Sequence, residues 1–225
     1  MDLVLDACSG VVNLALFMAA HPSMVPRLAT MNLRQFYVDL QQLFGDLQEI
    51  DFTLPLFASI THLDLLDILD HDSALEERLS DPAGLPFVPG LTHLRLHNTL
   101  RSPVFCSLLL RCKKLQILAS AVYTRSMKVS FGDLVVDDAC LVLMKFRNDA
   151  AGDWPAGTRG ERDFWTRAEM FAAMRRRGEI QSVYDVPREE ESSNSREGFS
   201  VLFSICLPKN FSAAGTHGEL HSIRD

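Results

Sequence analysis

The chain has no Cys-x-x-Cys pair, no apolar run near the ~20 residues that span a bilayer, and no excess of basic charge. Each absence removes a class. Its five cysteines (Cys8, Cys106, Cys112, Cys140 and Cys206) are odd in number and scattered. Neither a disulfide framework nor a zinc knuckle is expected, and a reducing compartment fits better. The formal net charge of −7 and pI near 5.5 argue against a nucleic-acid binder, which carries a basic face, and against an anionic membrane surface. The opening Met1-Asp2-Leu3-Val4-Leu5-Asp6 lacks the basic region and apolar run of a signal peptide, so an intracellular protein, cytoplasmic or nuclear, is expected. Gly-x-Ser-x-Gly, P-loop, Gly-x-Gly-x-x-Gly and His-Glu-x-x-His patterns are missing too. No enzymatic activity, cofactor or metal is therefore expected.

What is present is a repeat. Ile60-Thr61-His62-Leu63-Asp64-Leu65 returns as Leu91-Thr92-His93-Leu94-Arg95-Leu96, both reading apolar-x-x-Leu-x-Leu. Weaker copies are Val11-x-x-Leu14-x-Leu16, Leu33-x-x-Phe36-x-Val38 and Leu115-x-x-Leu118-x-Ser120. The central anchors fall at 14, 36, 63, 94 and 118, in steps of 22, 27, 31 and 24, near the period of leucine-rich repeats. Leu141-Val142-Leu143-Met144 lies one more step along and is a candidate sixth strand of ambiguous phase. Strands separated by a crossover in every repeat must run parallel, and stacking lets each repeat bury leucines it cannot bury alone.

The predicted fold is therefore α/β: an irregular leucine-rich-repeat-like solenoid of about five or six parallel strands over 1–146. A helical turn ending in Cys precedes the strand at Leu3–Cys8 and again at Leu108–Cys112, and Ser102-Pro103 suits the start of the second helix. No start signal precedes the first, so the chain is expected to begin inside a repeat, as a truncated product would. Residues 39–59 and 66–90 read as unequal helices and loops on the convex side. A linker and C-terminal cap occupy 147–185. The cap is a helix from about Glu161 to Arg177 with Phe164, Ala168, Phe171 and Ala172 on one face, ended by Arg175-Arg176-Arg177 and Gly178. It is expected to cover the last strand's open edge, anchored by Trp154 and Trp165. The polar run after Pro187 predicts a disordered tail over 186–225.

Cys-x-x-Leu-x-x-Leu-x-Leu, complete from Cys8 to Leu16 and partial from Cys112, resembles the leucine-rich-repeat region of F-box proteins. The two Thr-His-Leu blocks, the run from Asp153 to Glu169 and Arg176-Arg177-Gly178-Glu179-Ile180 resemble an uncharacterised, often F-box-like family from mushroom-forming fungi. The resemblance covers about 1–182 and implies no chemistry, since the family has no known catalytic residues. This chain has no Leu-Pro-x-Glu type F-box near its start, so a ubiquitin-ligase adaptor is implied only if an F-box lies upstream.

Alternate strand residues should face the concave side: Ala15, Tyr37, Asp64, Arg95 and Ala119 in one row, Asn13, Gln35, His62, His93 and Ile117 in the next. Asp64 should sit beside Arg95, and His62 beside His93. Tyr37, His62, Asp64, His93 and Arg95 are thus the candidate partner-binding residues, Tyr and Arg being common interface anchors. Left solvated, the Asp64–Arg95 pair contributes at most about 1 kcal/mol. A metal on His62, His93 and Asp64 is not expected, because no fourth ligand or known ligand spacing accompanies them. The expected function is a non-enzymatic interaction module binding an unknown protein partner. The alternatives are a substrate-recognition fragment of an F-box ubiquitin-ligase subunit and an enzyme with a site at the concave histidines.

Overall fold

The computed structural model describes residues 10–16, 20–66, 77–79, 81, 84–97, 102–122, 138–145, 163–180, 184–185 and 205–206. Six strands follow the repeat: β1 (Asn13–Ala15), β2 (Gln35–Val38), β3 (His62–Leu65), β4 (His93–Leu96), β5 (Ile117–Val122) and β6 (Leu141–Lys145). They form an all-parallel sheet in chain order. The anchors Leu14, Phe36, Leu63, Leu94, Leu118 and Leu141 pair in one unbroken row, as the spacing predicts, and this fixes the phase of the sixth strand.

The repeat's first positions set the register. Val12 O accepts the N–H groups of both Arg34 and Gln35, Arg34 O those of Thr61 and His62, and Thr61 O those of Thr92 and His93. Thr92 O does the same for Gln116 and Ile117. Strands β2 to β5 thus each open on a shared carbonyl, so a slip by one residue would break these bonds and turn every leucine to the other face.

One face of the sheet carries the main core. The anchors and their i+2 partners, Leu16, Val38, Leu65 and Leu96, pack there against the connections. These include a 3-10 turn (Pro22–Met24) leading into α1 (Val25–Leu28), and α2 (Leu40–Phe44) followed by a turn at Pro55–Phe57. Between β3 and β4 lies a turn at Leu85–Phe87, and α3 (Ser102–Arg111) joins β4 to β5. Asp39 caps α2 through Oδ1, which accepts the Gln42 N–H at 2.7 Å, and Gly45 ends it with φ at 78°. Phe57 is fully buried between Phe44 and Phe52, with ring centroids 6.3 and 5.0 Å away. Cys112 is buried after α3, and burial pushes its thiol up to about 11, as suits a small core residue rather than a reactive one.

The opposite face is covered by α4 (Phe164–Arg176). Its Phe164, Trp165, Ala168 and Ala172 close a second apolar cluster with Ile117, Ala119, Val142 and Met144, the alternate residues of β5 and β6. Asp163 caps this helix, its Oδ1 accepting from Thr166 N at 2.8 Å, and Gly178 ends it at φ 72°. The expectation that this helix covers the last strand's edge is corrected. Its apolar stripe needs an apolar floor, which β5 and β6 supply on their face. The edge of β6 is instead paired in parallel by β7 (Tyr184–Asp185).

Within the tail expected to be disordered, the described residues Ile205–Cys206 form β8, which pairs antiparallel with β1. That outer edge presents unpaired backbone groups which an added strand satisfies. The predicted first helix at Leu3–Cys8, the linker with Trp154 and the rest of the tail lie outside the described residues. Among the described residues, no helix is long and apolar enough to cross a membrane.

If the Phe cluster beneath β2 and β3 is core, Phe57→Ala should lower unfolding free energy by about 3–5 kcal/mol. The same change at Phe87, 55% exposed, should stay within about 0.5 kcal/mol. Urea unfolding of the two variants checks both.

Candidate functional site

The repeated Thr-His dipeptide puts two imidazoles side by side. His62 and His93 pair across β3 and β4, their rings stacked at 4.1 Å and 7°. Each ring is held by the threonine before it: Thr61 Oγ1 is 2.9 Å from His62 Nδ1, and Thr92 Oγ1 is 2.8 Å from His93 Nδ1. Both hydroxyls also lie 3.1 Å from a carbonyl of the preceding repeat, Arg34 O and Thr61 O respectively. One dipeptide therefore ties strand to strand and fixes a ring.

Helix α4 closes over this pair. Trp165 presents its ring edge-on to both imidazoles, with centroids 5.3 and 5.5 Å away. One turn on, Glu169 brings Oε1 to 3.1 Å from His93 Nε2. That buried nitrogen has no hydrogen-bond partner. Burial pushes His62 down to about 4; His93 adds to this, while Glu169 and Asp163 oppose it. Burial likewise pushes His93 down to about 4, with Arg176 adding to it. Both imidazoles are neutral near pH 7.

A second polar group lies two residues along the strands. Arg95 Nη1 donates to Asp64 Oδ2 at 3.2 Å, and its guanidinium sits 3.8 Å from the centroid of the Phe164 ring. His97 Nε2 lies 2.8 Å from Asp64 Oδ1, and Tyr37 meets the His97 ring edge-on at 5.4 Å. The far end of α4 is tied down as well. Arg175 Nη1 donates to Asp138 O (2.7 Å) and Leu141 O (2.8 Å), and Arg176 Nη2 to Gln116 O (2.8 Å).

The register expected of Tyr37, His62, Asp64, His93 and Arg95 is present, but not their solvation. Tyr37 is 2% exposed, His93 4%, and Asp64 and Arg95 5% each; only His62 remains half-buried. They form a buried polar layer rather than an open surface: α4 reaches His62, His93 and Arg95 through Trp165, Glu169 and Phe164, while Tyr37 packs against His97. Asp64 is engaged by Arg95 and His97, and the carboxylate that joins the histidines is Glu169.

His97, Phe164, Glu169, Arg175 and Arg176 are absent from the sequence-derived site. His97 was within reach, since it continues the alternation 93, 95, 97 on one face. Trp165 and Glu169 are i and i+4 on the cap helix, yet nothing in the sequence places that helix over β3 and β4. Comparisons with protein-family models, with curated proteins and with solved structures give no match to this chain.

Burial changes what the Asp64–Arg95 pair is worth. Removing one member now strands a buried charge, so Arg95→Ala should destabilise by about 3–5 kcal/mol rather than the 1 kcal/mol of a solvated pair. Chemical denaturation measures it.

The histidines add a pH dependence of known sign. Their folded values, about 4, lie below the 6.5 of free imidazole, so between these values the unfolded chain binds protons the folded one does not. Their contribution is intact above 6.5 and declines as pH falls toward 4. Urea midpoints measured from about pH 7 down to about pH 5 should fall, with a shallower slope in His62→Asn.

Proposed function

We propose that this chain is an irregular leucine-rich-repeat-like solenoid that binds a protein partner and carries out no chemistry on it. The in-register row of anchors from Leu14 to Leu141 supports the repeat reading, and stacked-repeat surfaces commonly serve recognition. The surface differs from the one the sequence suggests. With Tyr37, Asp64, His93 and Arg95 buried, the strand side offers the outer face of α4 and the half-buried His62 beside it.

The observation that carries this reading is Met170. It is 48% exposed on α4, next to Glu169 and one turn from Thr166, both exposed. An exposed, flexible thioether with polar neighbours on one side suits an interface centre. Met170→Glu with Thr166→Arg should leave thermal stability near wild type, since both positions face solvent. It should also remove the cross-linked partners that wild type retains in cells. If every wild-type partner is still cross-linked to the double variant, α4 is not the binding face.

A further inference from the structure

We propose that His62, His93 and Glu169 form a divalent-metal site, with zinc the ion its donors suit. The inference stands apart from the partner-binding reading and rests on three observations.

The first is convergence. One ligand atom from each of the three residues lies within 4.8 Å of the others, with His93 Nε2 and Glu169 Oε1 already 3.1 Å apart. Ligands about 2.0–2.1 Å from a tetrahedral ion are spaced a little over 3 Å from each other.

The second is the orientation of the rings. Metal-binding imidazoles are held through the nitrogen that does not bind the ion. Here Thr61 and Thr92 hold both Nδ1 atoms, and the carbonyls of Arg34 and Thr61 stand 3.1 Å from the hydroxyls to take their protons. Each Nδ1–H then donates to its threonine oxygen, and each Nε2 keeps its lone pair.

The third is an unanswered buried atom. In that tautomer His93 Nε2 and the Glu169 carboxylate are two acceptors facing each other. His93 is 4% exposed and its Nε2 has no hydrogen-bond partner, so a cation between them resolves the conflict. Loading requires the two stacked rings to tilt toward a shared centre. Three protein donors leave a fourth position for water on the side where Glu169 is 55% exposed in its side chain.

The test uses the full chain stripped with EDTA, then titrated calorimetrically with Zn²⁺ and spectroscopically with Co²⁺. Saturable binding near one equivalent is expected, with visible d–d bands for Co²⁺. Glu169→Gln and His62→Asn should each weaken Zn²⁺ by about tenfold or more, and Thr92→Val, which removes the hydroxyl that holds the His93 ring and bonds Thr61 O, by about 10–100-fold. Zn²⁺ should raise the thermal midpoint of wild type and not of Glu169→Gln, whose exposed side chain makes it the variant safest to fold. Absence of saturable binding overturns the proposal. So does an affinity unchanged in both Glu169→Gln and His62→Asn, which would put the ion elsewhere on the chain.

Discussion

A parallel sheet has to be covered on both faces, and in this chain the two covers are made of different material. The face carrying the anchors is sealed by the connections, which bring leucine and phenylalanine to every strand from β1 to β5. Among the described residues, the other face is covered by α4, which reaches from β6 and β5 to the polar residues of β4 and β3. The arrangement of His62, Asp64, His93 and Arg95 follows from that difference between the two covers.

Polar groups under a helix have to find partners, since an unpaired buried charge is far more expensive than an exposed one. Asp64 answers Arg95 and His97, Arg95 lies on Phe164, and the two arginines at the end of α4 reach the carbonyls that open β5 and β6. Such contacts add little to stability relative to an apolar seam of the same area. They are demanding in geometry, however, and a helix seated on them has few alternative positions. The apolar half of α4 supplies adhesion, and the polar half supplies the position.

Much of the sheet could be read from the chain because a strand's period of two leaves no freedom once anchors are fixed. Leu63 beside Leu94 entails Asp64 beside Arg95, and both pairs are found. The weak copies at Leu14 and Phe36 fell into the same row for the same reason. The position of α4 had no such determinant. Its apolar stripe fits a sheet edge and a sheet face equally well, and what chose the face was the complementary stripe of Ile117, Ala119, Val142 and Met144. Those residues were visible, but pairing two distant stripes is a packing decision that periodicity does not encode. Glu169 was missed with it, since a ligand contributed by the cover cannot be recognised before the cover is placed.

The repeated Thr-His dipeptide therefore answers two constraints at once. Its threonine backbone takes part in the carbonyl ladder that opens the strands, and its hydroxyl turns the following imidazole to a fixed bearing. An apolar residue in place of each histidine would bury α4 equally well. It would leave the seating of the helix indifferent to protons and cations. With histidines there, any species that binds the neutral imidazoles while α4 is in place stabilises the seated helix by linkage, and protonation opposes it. Polar composition beneath the helix thus couples the state of α4, the one element that presents Met170 outward, to the chemistry of the solution around it.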